Sequence, residues 1–371
     1  MSDADVIVIG GGLVGASIAW GLAGEGARTL LLDEGDGALR ASRGNFGLVW
    51  VQGKGLGCPE YARWSLRSAD LWGDFAAELH EATGIDVGHE RPGGVMLNLS
   101  GAEERENIKT LAQIRLEAGN QPYDYEMLDR RQMAELLPGI GPDVVSASYS
   151  PYDGHANPLY LLRALHAGFA AKGGRYRPGE KVEAIEAGTG ATTVRTGKGS
   201  YAVPRVVISA GLGTTALAAM VGVDAPIVPL HGQILVTERT APRLALPTNL
   251  VRQTREGVMM LGYTVDDFGF DTRTRADRSR NVALGALRAF PCLRDLRVVR
   301  SWAALRIMTA DGFPIYEQSE DHPGIFIATC HSGVTLAAVH ARDVSRWVLG
   351  HDMPATFRRF STRRFDVQET V

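Results

Sequence analysis

The opening of the chain carries its sharpest hydrophobic pattern. Val6-Ile7-Val8-Ile9 is an unbroken apolar run of strand length, three glycines follow, and residues 13–25 are apolar over the length of a helix before Thr29–Asp33 returns to a strand. Strand, tight turn, helix and strand in that order open a doubly wound sheet. Farther on, residues 60–84 and 103–118 place apolar side chains at helical spacing among charged ones, for instance Leu66, Leu71, Phe75 and Leu79, and predict amphipathic scaffolding helices. Residues 157–172 read as a helix, and 181–185, 192–195 and 203–209 as strands ending in the turn Ala210-Gly211-Leu212-Gly213. Between 226 and 265 short apolar runs alternate with turns, at 233–237 and Val258–Leu261 among others, which suits a mostly antiparallel second sheet. Ile325–Thr329, a turn near Gly333 and a helix over 334–349 repeat the opening pattern.

Composition narrows the functional classes. A chain of 371 residues, 45% hydrophobic, buries a core for roughly two domains. Its 39 basic and 42 acidic residues give a net charge of −3 with no long block of either sign, so polyanions and membrane surfaces gain no electrostatic support and a small molecule is the expected ligand. The three cysteines, Cys58, Cys292 and Cys330, are too scattered for a metal pair or a disulfide framework, and no metal is expected. Asp3 and Asp5 lead straight into the first strand without a basic leader, and no apolar run approaches the ~20 residues of a membrane span. The expectation is a cytoplasmic protein.

Gly10-Gly11-Gly12-Leu13-Val14-Gly15 fits G-x-G-x-x-G between a strand and a helix. Gly10 permits the tight turn, Gly12 lets backbone approach a pyrophosphate, Gly15 lets helix pack on strand, and Leu13 and Val14 begin the helix whose N-terminus faces the phosphates. Asp33, ending the second strand with Glu34 beside it, suits an adenosine ribose and disfavours a 2′-phosphate. FAD and NAD share the ADP half, so the fingerprint leaves that choice open. The loop Ala41-Ser42-Arg43-Gly44-Asn45-Phe46-Gly47 offers hydroxyls and backbone donors suited to a ribityl chain or flavin ring; the alternative is an ordinary turn. The three strand–turn–helix units at the start, middle and end predict an α/β, Rossmann-like cofactor domain assembled from residues 1–90, 145–225 and 300–371. The mostly antiparallel substrate domain, with flanking helices, is expected from 91–144 and 226–299.

With these segments in hand, the sequence resembles the D-amino-acid oxidase superfamily of FAD-dependent oxidoreductases, which contains glycine and sarcosine oxidases. The resemblance spans nearly the whole chain. It also rests on Gly93-Gly94, Asp153-Gly154-His155-Ala156-Asn157-Pro158, Ser209-Ala210-Gly211, His231-Gly232-Gln233, Gly262-Tyr263-Thr264, Leu305-Arg306, Thr309-Ala310-Asp311-Gly312 and His331-Ser332-Gly333-Val334-Thr335-Leu336. Residues 44–55 and the ending Cys330-His331-Ser332-Gly333-Val334-Thr335-Leu336-Ala337 look most like β-subunits of D-hydroxyproline dehydrogenases, and opine oxidase and hydrogen cyanide synthase subunits are similar too. The resemblance implies FAD, held also by Val182, Ala210, Gly211 and the turn Ser332–Gly333–Val334–Thr335–Leu336. It further implies a dehydrogenase that passes electrons to a partner carrying a second flavin or an iron–sulfur centre. Relatives that attach flavin covalently use a cysteine just before the Thr-x-Asp segment or a histidine soon after the second strand; residues 300–311 contain no cysteine and the first histidine is His80, so non-covalent FAD is implied.

In this superfamily a neutral amine gives its Cα–H hydride to flavin N5, leaving an imine, and the protein chiefly orients the reactants. Arg306 stands where glycine-oxidase-like relatives place a carboxylate-binding arginine, and a guanidinium suits that task; its alternative is a pair with an acid such as Asp311. Arg252 is a second candidate anchor or a solvated strand residue, and Tyr263 a cap on the pocket or a packing residue. His331 is expected beside the flavin or as a structural histidine, in a turn whose amides favour a reduced, anionic ring. His155 and Asn157 read more readily as a turn and helix cap, and Cys330 as a small buried residue. Two rivals remain: an NAD-linked dehydrogenase, and a flavin-bearing assembly subunit without turnover.

Overall fold

The computed structural model describes residues 4–35, 40–262 and 264–366. Its largest sheet has six strands in the order Ile315–Gln318, Ile325–Thr329, Arg205–Ile208, Val6–Ile9, Thr29–Asp33 and Arg175–Pro178. All neighbours run parallel except the Ile315–Gln318 edge strand. Ile9 pairs with both Ile208 and Leu32, and Ile208 with Ile327, so these strands end level with one another. The glycine turn, Asp33, Ser209–Ala210–Gly211 and the Cys330–Leu336 segment therefore gather at one carboxyl edge, where open α/β sheets bind ligands.

The first helix, Leu13–Gly24, is buried on nearly every side, because the sheet covers one face and the helices Pro158–Ala171 and His340–Val344 the others. The chain runs from Val203 to Arg205 through Pro204, which has no amide hydrogen to donate, so the single strand expected over 203–209 is divided into Gly199–Val203 and Arg205–Ile208. The amphipathic helices occur at Pro59–Thr83 and Gly101–Ala118; the second starts early because the Ser100 side chain accepts from the Glu103 amide.

A four-stranded antiparallel sheet, ordered Val251–Gln253, Val258–Leu261, Val228–Arg239 and Val298–Met308, is backed by the helix Ala276–Ala289. A three-stranded sheet of Gly94–Asn98, Glu126–Leu128 and Ser146–Ser150 packs its apolar side into the same core, through Val95, Leu97, Leu128 and Ala147. Mixed parallel and antiparallel sheets with flanking helices match the expected fold class. Among the described residues, no helix is long and apolar enough to cross a membrane.

Candidate functional site

The fingerprint is built by close backbone approach. Gly10 has φ +109°, and a Cβ there would lie 2.3 Å from the Ser209 carbonyl oxygen; one on Gly15 would lie 2.0 Å from the Gly10 oxygen. Both must be glycine. Asp33 Oδ2 accepts from the Gly11 amide (2.7 Å) and Oδ1 from Gly35 (2.8 Å), bracing the turn. Glu34 pairs instead with Arg40 at 3.1 Å. The helix starting at Leu13 has no cap of its own; Ser42 Oγ accepts the Leu13 amide (2.9 Å), while the Val14 and Gly15 amides find no acceptor among the described residues. An uncapped helix start beside bare glycine backbone fits a pyrophosphate.

A cavity of about 340 Å³ opens alongside, lined by Ala41 and Gly44–Phe46 from the loop, by Gly232, Ala304 and Arg306 from the antiparallel sheet, and by His331, Ser332, Val334 and Thr335. Its floor is fixed by the helix Pro59–Thr83. Trp72 Nε1 donates to the Val334 and Thr335 carbonyls (3.1 Å each), Ser68 Oγ donates to the Thr335 carbonyl (2.6 Å), and the Tyr61 hydroxyl bonds Ser332 Oγ (2.8 Å). That helix thus grips the turn as well as forming scaffold. These tertiary bonds explain why regular helix begins at Ala337, not at Val334.

Arg306 stands opposite Leu230 on paired strands, and neighbouring Gly232 leaves room for its guanidinium, since a Cβ there would meet Arg306 Nε at 2.9 Å. Nη1 donates to His331 Nε2 (3.2 Å) and Nη2 to the Thr264 carbonyl (3.3 Å). Asp311, the alternative partner, is bound by Arg364 at 2.7 Å. His331 is held far below the usual imidazole range, at about 3, first by burial and then by the charges of Arg306 and Lys54. It is therefore neutral at physiological pH, with the Nε2 lone pair committed to Arg306.

Arg252, another candidate, stands elsewhere. Only 2% exposed, it is not among the cavity-lining residues. It donates through Nε to the Phe46 carbonyl and bonds His155 Nδ1 (3.3 Å), so it braces the back of the loop; burial lowers its affinity for a proton to about 10. Neither solvated-strand residue nor wall residue describes it. Tyr263 lies outside the described residues. His155 bonds Glu90 (3.4 Å) behind the loop, and Asn157 caps the Pro158–Ala171 helix by accepting from Leu159 and Tyr160. His231 is fully buried against Phe268. Cys330 is buried too, which pushes its thiol up to about 12.

Sequence reasoning passed over Lys54. Its Nζ donates to Ser332 Oγ (2.8 Å) and Thr335 Oγ1 (3.1 Å) at the cavity wall, and burial depresses it to about 8. Beneath it Asp153, 0% exposed, accepts from the Val51 amide (2.5 Å), the Gln52 amide (3.2 Å) and Gln52 Nε2 (3.0 Å), and burial raises its carboxyl to about 6. The signal available was a lysine between two glycines in a stretch already marked by the resemblance.

A family model described as FAD dependent oxidoreductase matches residues 5–347. An opine oxidase subunit from Agrobacterium tumefaciens (strain Ach5) is 45% identical over 371 residues, covering 100% of both chains, and its counterpart from Rhizobium meliloti is 44% identical over 369, again covering 100% of both. The crystal structure of glycine oxidase from Geobacillus kaustophilus superposes with a TM-score of 0.89 at 24% identity over 100% of both chains, which shows the shared fold. The chain belongs to the FAD-dependent oxidoreductase family, and FAD is its cofactor.

Proposed function

We propose that this chain is the FAD-carrying catalytic subunit of a dehydrogenase that oxidises an amino acid whose nitrogen is a secondary amine. Cyclic imino acids such as D-hydroxyproline and N-substituted amino acids such as opines both belong to that class. The observation that carries the reading is Arg306, a guanidinium on the wall of a cavity bordered by the Ser332–Thr335 turn, poised for a substrate carboxylate. The two relatives named as subunits of opine oxidases support a role within a larger assembly, and in this reading a partner there takes the electrons.

When bound, FAD supplies the acceptor for the hydride that leaves the substrate Cα–H, giving an imine. The chain's own work is placement. Gly10, Gly12 and Gly15, with the helix start at Leu13 and Val14, would hold the pyrophosphate, and Asp33 with Glu34 the adenosine ribose; Val182, Ala210 and Gly211 flank that half. Residues Ser42 to Gly47 and the turn from Ser332 to Leu336 would border the ring. Arg306 orients the carboxylate, His331 keeps Arg306 directed into the cavity while adding no charge, and the apolar walls exclude water. In this reading residues 1–90, 145–225 and 300–371 serve the cofactor and 91–144 and 226–299 the substrate, except that Arg306 stands on a strand paired into the antiparallel sheet.

Anaerobic mixing of the purified yellow protein with cis-4-hydroxy-D-proline, sarcosine, glycine and N-carboxyalkyl amino acids tests this directly. Bleaching of the flavin by secondary amino acids is expected, followed by reoxidation through an artificial acceptor faster than through oxygen. A flavin that no amine reduces would make the chain an assembly subunit, and a colourless protein would overturn the cofactor assignment.

A further inference from the structure

The cavity holds a second cation that a single substrate carboxylate leaves unused. We propose that Lys54 is a second carboxylate-binding residue of this cavity, so that the substrate is a secondary amine bearing two carboxylates, one held by Arg306 and the other by Lys54. The inference rests on the amino-acid oxidation proposed above and names the substrate class within it.

The geometry has three parts. First, Lys54 is anchored but not used up. An ammonium has three N–H donors, and two of them go to Ser332 Oγ and Thr335 Oγ1. Second, among the described residues no carboxylate contacts it. Asp153, beneath, commits its oxygens to the Val51 and Gln52 amides and the Gln52 side chain, and no Asp or Glu lines the cavity among the described residues. Third, Lys54 and Arg306 line the same cavity, together with His331, whose imidazole feels both charges. An ammonium in a half-dry site with no anion in contact is costly until an anion arrives. A ligand with one carboxylate, held by Arg306, leaves Lys54 as it was. A carboxylate on each side of the amine serves both cations, and leaves the Cα–H on the carbon between the amine and the Arg306-bound group.

Matched ligands separate this from the alternatives. Diglycolate and methoxyacetate are ethers of nearly the same shape, bearing two carboxylates and one; lacking the amine, they bind without reacting. Their dissociation constants for the FAD-loaded protein are read from perturbation of the flavin spectrum at neutral pH. The expected ratio favours diglycolate by about 10-fold or more, as a charged hydrogen bond warrants. It collapses toward unity in Lys54→Met and is retained in Lys54→Arg, with FAD content measured in each. Anaerobic flavin reduction should show the same preference for iminodiacetate over sarcosine. A native ratio near one, or a ratio unmoved by Lys54→Met, overturns the proposal. So does a Lys54→Met variant that keeps the ratio but loses affinity for sulfite, a probe that adds to the flavin ring, since Lys54 would then serve the cofactor. Failure of the underlying reading looks different: neither ether perturbs the flavin and neither amine reduces it.

Discussion

Arg306 Nη1 donates to His331 Nε2 across 3.2 Å, joining a strand of the antiparallel sheet to the turn that follows the last parallel strand of the large one. The bond fixes the imidazole as a neutral acceptor and aims the guanidinium along the cavity wall. Arg306→Ala should lower kcat/KM by at least ~100-fold with flavin still bound, because a charged anchor is lost only where substrate sits. Arg306→Lys should recover only part of this, since a point charge cannot grip a carboxylate with two parallel bonds. Steady-state kinetics with an artificial acceptor, beside the flavin absorbance, give the answer; near-normal turnover in the alanine variant would remove Arg306 from the site.

Gly15 of the fingerprint should differ from Gly11, which fills a variable position between its glycines. A Cβ on Gly15 would press 2.0 Å from backbone oxygen of Gly10, which cannot yield, whereas one on Gly11 would meet Tyr176 and the Asp33 Cβ at 3.1–3.2 Å. Gly15→Ala should yield a colourless or unstable chain, with overpacking costing about 1–3 kcal/mol or more. Gly11→Ala should retain most of its flavin. Equal flavin-to-protein absorbance ratios in the two variants would sink this account. In the native chain, acid precipitation should release all the flavin into the supernatant, and flavin left in the pellet would mean a covalent link.

Acid should weaken the fold through its buried histidines. Burial holds His331 and His340 at about 3, and His89 and His155 at about 4. The unfolded chain takes up these protons near the ordinary imidazole value of about 6.5, so their contribution is intact above that pH and is lost as pH falls toward the folded values. Asp153 acts with the opposite sign: raised to about 6, it costs stability as pH climbs from about 4 through 6. Four groups outweigh one, and the melting temperature should drop by several degrees between pH 7.5 and 5. A flat profile would contradict the assignment of these imidazoles as buried and neutral.

The sequence revealed what depends on local pattern. The glycine fingerprint, the Thr29–Asp33 strand and the long helices follow from spacing, caps and apolar runs within a few residues. Lys54 did not show, because its partners Ser332 and Thr335 lie 278 and 281 residues away and nothing near a lone lysine between glycines announces them. The start of the last helix was misplaced for a related reason: Ser68 and Trp72 occupy the carbonyls of Val334 and Thr335 from another part of the chain. Arg252 illustrates the limit of residue type, since an arginine read as surface or anchor proved to be an interior brace.

Asp153 should set the alkaline limit of the site through Lys54. Burial holds the ammonium at about 8, opposed by the charge of Asp153, while the hydroxyls of Ser332 and Thr335, the neutral thiol of Cys330 and the neutral His331 stand near it. Asp153→Asn removes one negative charge at nearly constant shape. Its remaining carbonyl oxygen can still accept the Val51 and Gln52 amides, and the Gln52 side chain can turn over to present its own oxygen. With that charge gone, burial acts against less opposition and the ammonium loses its proton at lower pH. Diglycolate affinity in the native protein should fall as pH rises through about 8, and the midpoint should move down by about one unit in Asp153→Asn. The ether has no amine to titrate, so the shift reports the protein. An unmoved midpoint with diglycolate still bound would show that Asp153 supports only the backbone before Lys54, and not its charge.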